Sequence, residues 1–244
     1  MAAILALETS CDACSVALRV DELLLLEEHE EPRAHARVLL PTIEALLGRA
    51  GIGCAELDGI VYGHGPGSFT GLRIGCAVAQ GIAWAHELPT LGVSSLALLA
   101  EAALRDAREA DGTGADAASA RFAGVISVLD ARMDEFYLAV HGADVARSAL
   151  LEDRIVARDA LGEVLAEALA KLPGPWLVAG DGAAAAVELV DLDVRIVDGA
   201  RPDARALLAL AAPRLDREGV AAAEVRPVYL RDERRWRRQA SVGV

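Results

Sequence analysis

Gly59-Ile-Val-Tyr-Gly-His-Gly-Pro-Gly-Ser-Phe-Thr-Gly71 is a short apolar strand, Gly59–Tyr62, that runs into a glycine loop and then into a helix, Gly71–His86. A strand that delivers glycines to a helix N-terminus is an α/β signature. It is also a ready anion site, because the first N–H groups of the helix lack intrahelical partners and the helix dipole favours negative charge there. Gly65, Gly67 and Gly71 let the backbone curl, Ser68 and Thr70 add hydroxyls, and Arg73 adds a fork of donors. The spacing matches no standard nucleotide or nucleophile motif: no Gly-Lys-Ser/Thr follows, G-x-G-x-x-G does not fit, and Gly67-Ser68-Phe69 is not a G-x-S-x-G elbow. Two readings stand on spacing alone, a phosphate or nucleotide cradle and a tight structural turn. Along the helix Gly71, Gly75, Ala79 and Ala83 recur every fourth position, a stripe that lets another backbone approach closely.

Outward from the loop, Ala3–Leu7, Ser15–Val20 and Leu23–Glu28 read as a β-meander, followed by a helix over Ala34–Ala50 that ends at Gly51–Gly53. Pro41 either marks the first turn of that helix or kinks it. Pro89–Val93 is a strand, and Ser94 caps a helix running to about Ala110. After the turn-rich stretch Asp111–Ala120 come a hairpin, Phe122–Leu129 with Glu135–His141, and a helix over Leu161–Leu172. A strand Trp176–Ala179, a helix Ala183–Leu189, a strand Val194–Val197 and a last helix Asp203–Arg217 follow. The pattern predicts an α/β protein of two related lobes, 1–110 and a smaller 111–220, with a tail over 221–244, and no short internal repeat is evident.

Of 244 residues, 54% are hydrophobic and only 4% aromatic, so the core is built from Ala, Leu, Val and Ile. The net charge of −13 argues against a surface that binds RNA or anionic membranes throughout. Residues Arg226–Val244 break that trend: six arginines against two acids give +4, leaving −17 on the rest. Arg231, Arg234 and Arg235 are therefore candidate contacts for RNA phosphates or an acidic partner, the alternative being a solvated chain end. No secretory signal or run long enough to span a bilayer is visible, so a cytoplasmic protein with reduced cysteines and no membrane contact is expected. Cys11 and Cys14 lack a second pair at zinc spacing, and no two histidines stand four apart. Glu8 on the first turn is a candidate carboxylate toward a metal or phosphate, or simply a solvated or capping residue.

Several stretches resemble the TsaB and TsaD family: Ile4-Leu-Ala-Leu-Glu-Thr-Ser10, Ala13-Cys-Ser-Val-Ala-Leu18, His64-Gly-Pro-Gly-Ser-Phe-Thr-Gly-Leu-Arg-Ile-Gly75, Asp130-Ala-Arg-Met-Asp-Glu-Phe-Tyr137 and Pro227-Val-Tyr-Leu-Arg231. The resemblance implies the two-lobed fold of actin, Hsp70 and sugar kinases (ribonuclease H-like, or ASKHA), with a reduced second lobe. TsaD carries two metal-holding histidines after the third lobe strand, where this chain has Ser95 and Leu99. The resemblance thus implies a TsaB-like scaffold without catalytic or metal residues and with no required cofactor. It would bind TsaD, be joined by TsaE, reach ATP or ADP and tRNA through that complex, and form a homodimer when alone. Leu39, Ile43, Leu46, Gly75, Val78 and Ile82 offer apolar or small positions on the two flanking helices, and part of this set is expected to meet TsaD; the alternative is that all six serve the core. Two enzyme readings compete: an ATP-using transferase or phosphotransferase of the actin-like superfamily acting alone, and the metalloprotease activity once attached to this family.

Overall fold

A computed structural model of the protein describes residues 2–112, 121–147, 149–170, 174–189 and 193–231. Strand β1, Ala3–Glu8, is buried at every position, as a central strand covered on both faces must be. It pairs antiparallel with β2, Cys14–Val20, which pairs antiparallel with β3, Leu23–His29. On its other side it pairs parallel with β4, Gly59–Gly65, which pairs parallel with β5, Thr90–Ser94. The first sheet therefore has the order β3-β2-β1-β4-β5. The second repeats it. A meander of β6, Gly124–Asp130, β7, Glu135–Gly142, and β8, Leu151–Ala157, is followed by parallel β9, Trp176–Ala179, and β10, Val194–Val197, in the order β10-β9-β6-β7-β8. The two lobes are thus topological copies, the second built on shorter parallel strands.

Strand alternation sends successive side chains to opposite faces, and this sorts the core into layers. Ala3, Leu5, Leu7, Val16 and Leu18 face helices α1, His35–Ala50, and α2, Phe69–His86. Ile4, Ala6, Ala17 and Val61 face α3, Ser95–Asp111, and α6, Ala204–Ala211, which also cover Val125, Leu177 and Ala179 of the second sheet. The far side of that sheet is closed by α4, Leu161–Leu169, and α5, Ala183–Val187. The result is an α-β-α-β-α stack, the two-lobed actin-like fold.

Several local expectations are revised. Pro41 lies inside α1 rather than at its start. Strand β8 was not expected. Its Glu152, Asp153 and Arg154 hide a strand whose charged positions mostly face outward at an edge. The last helix is broken: Pro213 sits in a 3₁₀ turn, Ala212–Arg214, between α6 and α7, Leu215–Glu218. Although the expected boundaries count residues to 220 with the second lobe, α6 packs on β1, β2, β4 and β5 of the first sheet. Val220 then bridges Thr90, and Ala222 and Val225 enter the core beneath α1 and α2.

Candidate functional site

The glycine loop is occupied by its own chain. Ser68 N–H donates to the Ser10 carbonyl at 2.7 Å, Thr9 Oγ1 donates to the Gly71 carbonyl at 2.9 Å, and the Ser68 hydroxyl accepts from Gly71 N–H at 3.3 Å. A Cβ on Gly71 would stand 2.0 Å from the Thr9 carbonyl oxygen, and one on Gly75 would stand 2.3 Å from Thr9 Oγ1. The backbone admitted by the small-residue stripe is therefore the first turn, residues 9–10. Of the positions expected around a phosphate, Gly65 and Gly71 are buried, Gly67 is partly so, and Ser68, Thr70 and Arg73 are at the surface. The Arg73 side chain is engaged by aromatic groups: its guanidinium lies 3.7 Å over the Phe69 ring, and its Nε donates to the Tyr229 hydroxyl at 3.0 Å.

Beneath the loop lies a carboxyl group. Glu8 is fully buried, with Oε1 accepting from Ser10 N–H at 2.5 Å and Oε2 without a hydrogen-bond partner among the described residues. A Cβ on Gly63 would fall 1.8 Å from Oε2, so only glycine fits opposite it. Burial pushes Glu8 up to about 7, against the hydrogen bonds from Ser10 and with a small upward push from Asp203. The thiols around it follow: burial, helped by the Glu8 charge, raises Cys14 to about 11 and Cys11 and Cys76 to about 12. All four cysteines are free. Sequence inspection marked Glu8 but could not show that it is dry, since that depends on Gly63 and on α6.

Ser95 and Leu99 are both fully buried in α3. Among the described residues, no three His, Cys, Asp or Glu side chains converge to hold a metal ion.

The C-terminal segment straps the loop to the second lobe. Val228 N–H donates to the His64 carbonyl at 2.7 Å. Arg231 then reaches the β6–β7 turn, donating to the Ala131 carbonyl at 2.9 Å and the Arg132 carbonyl at 3.3 Å, and pairing with the Glu135 carboxylate. That turn holds three successive non-glycine residues in the left-handed region, Arg132 (φ 64), Met133 (φ 56) and Asp134 (φ 59). Such conformations cost on the order of 1–2 kcal/mol each and persist where surroundings enforce them. Of the candidate tRNA contacts, Arg231 is thus engaged within the chain, while Arg234 and Arg235 lie outside the described residues.

The six candidate interface positions split. Leu39, Ile43, Leu46 and Gly75 are buried within the first lobe, whereas Val78 and Ile82 remain partly exposed on α2. Sequence reading missed the most exposed apolar side chain of that helix, Trp84, at 69%. Leu40, exposed on α1, was missed as well. The outer side of α2 presents Ala77, Gly81, Trp84 and Ala85, flanked by Val78 and Ile82, which pack partly against the lobe's core, and no residue from Ile74 to Ala85 is charged.

Residues 29–233 match the family described as TsaD: tRNA N6-adenosine threonylcarbamoyltransferase. The tRNA threonylcarbamoyladenosine biosynthesis protein TsaB of Escherichia coli is 33% identical over 96% of this chain and 97% of its own length. The protein of the same name from Haemophilus influenzae is 32% identical, with 96% of each chain covered. Among solved structures, YeaZ from Pseudomonas aeruginosa superposes with a TM-score of 0.74 at 32% identity, covering 94% of this chain and all of that one. A Pseudomonas aeruginosa protein described as similar to the peptidase YeaZ gives 0.75 at 34% identity, covering 95% of this chain and all of that one. With the same two-sheet layering and matches that run nearly end to end, the chain belongs to the TsaB proteins of the TsaD family.

Proposed function

We propose that this chain acts in tRNA threonylcarbamoyladenosine biosynthesis as a non-catalytic subunit that docks the transferase TsaD through the outer face of α2. The observation that carries the reading is the uncharged outward side from Ala77 to Ala85, capped by Trp84. A helix that faces water ordinarily carries charges there, and interface cores are depleted in charge and enriched in aromatics. Burying a tryptophan of this exposure returns about 2–3 kcal/mol, the scale of an interface anchor. The second face of α2 is spent on the lobe's own core, which rigidifies the surface before docking and lowers the ordering cost. When TsaD is absent, the same face pairs two copies of this chain. TsaE joins the assembly, and ATP or ADP enters through it rather than through this chain, whose Ser68 and Gly71 N–H groups already have internal acceptors.

The test is co-purification of TsaD with Trp84→Glu and Val78→Glu. Both sites reach solvent, so both variants should keep the wild-type far-ultraviolet spectrum while losing most captured TsaD. Undiminished capture by folded variants places the contact elsewhere.

A further inference from the structure

The N-terminal end of α2 carries an arrangement that the docking face does not use. The Phe69 and Tyr229 rings stand 5.3 Å apart at 36° to one another. Arg73 ties them together, its guanidinium stacked over Phe69 and its Nε bonded to the Tyr229 hydroxyl. Yet the cluster is open to water: Phe69 is 51% and Tyr229 39% exposed. Three flat groups are thus preorganised at the surface, where two aromatic rings would ordinarily be hidden. Flat, exposed and cation-bearing surfaces stack unpaired nucleobases, and every base has a face to offer. Charge complementarity favours a polyanion over a neutral or basic surface, and among polyanions only a nucleic acid offers flat faces to stack. Tyr229 belongs to the stretch 226–244, which carries +4 in a chain otherwise at −17. Along the helix axis Phe69 lies about 12 Å from Ala77, where the docking face begins, and about 22 Å from Trp84, so the rings stand at the end of α2 away from the proposed anchor.

We infer that Phe69, Arg73 and Tyr229 form a stacking platform for an unpaired base of the RNA on which the assembly acts. This rests on the placement of the chain in tRNA modification, but its test is separate. A fluorescein-labelled RNA hairpin with an unpaired loop is titrated with the chain bound to TsaD, following anisotropy, and the same stem as a blunt duplex serves as comparison. The hairpin should bind more tightly than the duplex. Phe69→Ala and Tyr229→Ala should each weaken hairpin binding about 5- to 150-fold, the range for one stacked base, without changing its salt dependence. Tyr229→Phe, which keeps the ring, should bind as wild type, and Arg73→Gln should reduce the salt slope by about one. Equal binding of hairpin and duplex, wild-type affinity in both alanine variants, or no RNA binding overturns the proposal. So does loss of TsaD capture by Phe69→Ala, which would make the cluster a protein contact. Loss of capture by Trp84→Glu alone bears only on the docking face.

Discussion

Glu8→Gln isolates the free energy stored in one dry carboxyl group. In the unfolded chain this group titrates near its ordinary value of 4.5, and in the folded protein burial moves it to about 7. The folded state therefore holds the proton more tightly. Its contribution is fully present below pH 4.5 and is lost as pH rises through 7, the reverse of an acid in an ion pair. A shift from 4.5 to about 7 corresponds to about 3 kcal/mol in total, of which about 2 kcal/mol falls between pH 5.5 and pH 8. Glutamine keeps the Oε1 acceptor for Ser10 N–H and cannot ionise. Urea unfolding followed by circular dichroism should show wild-type stability falling more steeply than that of Glu8→Gln between those two pH values, by about 2 kcal/mol. Other titrating groups, including Asp153, which burial raises to about 6, are common to both proteins and cancel in the difference. Parallel pH dependences would refute the reasoning, because Glu8 would then be hydrated or balanced by a cation.

Three further outcomes follow from local geometry. Gly71→Ala places a methyl group 2.0 Å from the Thr9 carbonyl and should destabilise by about 3 kcal/mol or more, whereas Gly81→Ala meets nothing within 4 Å and should stabilise by up to about 1 kcal/mol; thermal unfolding reads both. Arg231→Ala removes the side-chain donor to the Ala131 carbonyl and the ion pair with Glu135 and should cost about 2 kcal/mol, with hydrogen exchange rising across 131–135. Cys14 and Cys76, whose thiols burial holds at about 11 and 12, should resist iodoacetamide in the native protein at pH 8 and react after denaturation, as mass spectrometry would show.

The strongly periodic segments were legible in the sequence. Trp176–Ala179 and Val194–Val197 are strands with the expected bounds, and Gly51 and Ser94 stop and start helices as their chemistry directs. What the sequence hid was long-range. Charged β8 becomes a strand only because β7 offers it an edge. Gly65, Gly67 and Gly71 could be a phosphate cradle or a tight structural turn until Ser10 is seen against Gly67 and Thr9 against Gly71, an approach that no local pattern encodes. Leu39, Ile43 and Leu46 could be either core or contact until a sheet lay beneath them. Trp84 escaped because its neighbours are small and uncharged, and a lone aromatic carries no periodic signal.

The return of residues 204–225 to the first sheet sets the order in which a nascent chain can mature. The earliest strands to leave the ribosome lack α6, Val220, Ala222 and Val225 until nearly the whole polypeptide has been made. The amino-terminal half must therefore wait, partly bare, while the second half is synthesised. Contacts spanning about two hundred residues make that closure a late and slow event. Ribosome-stalled chains ending before residue 200 should stay protease-sensitive in their first hundred residues. Release of the full chain should then protect both halves together.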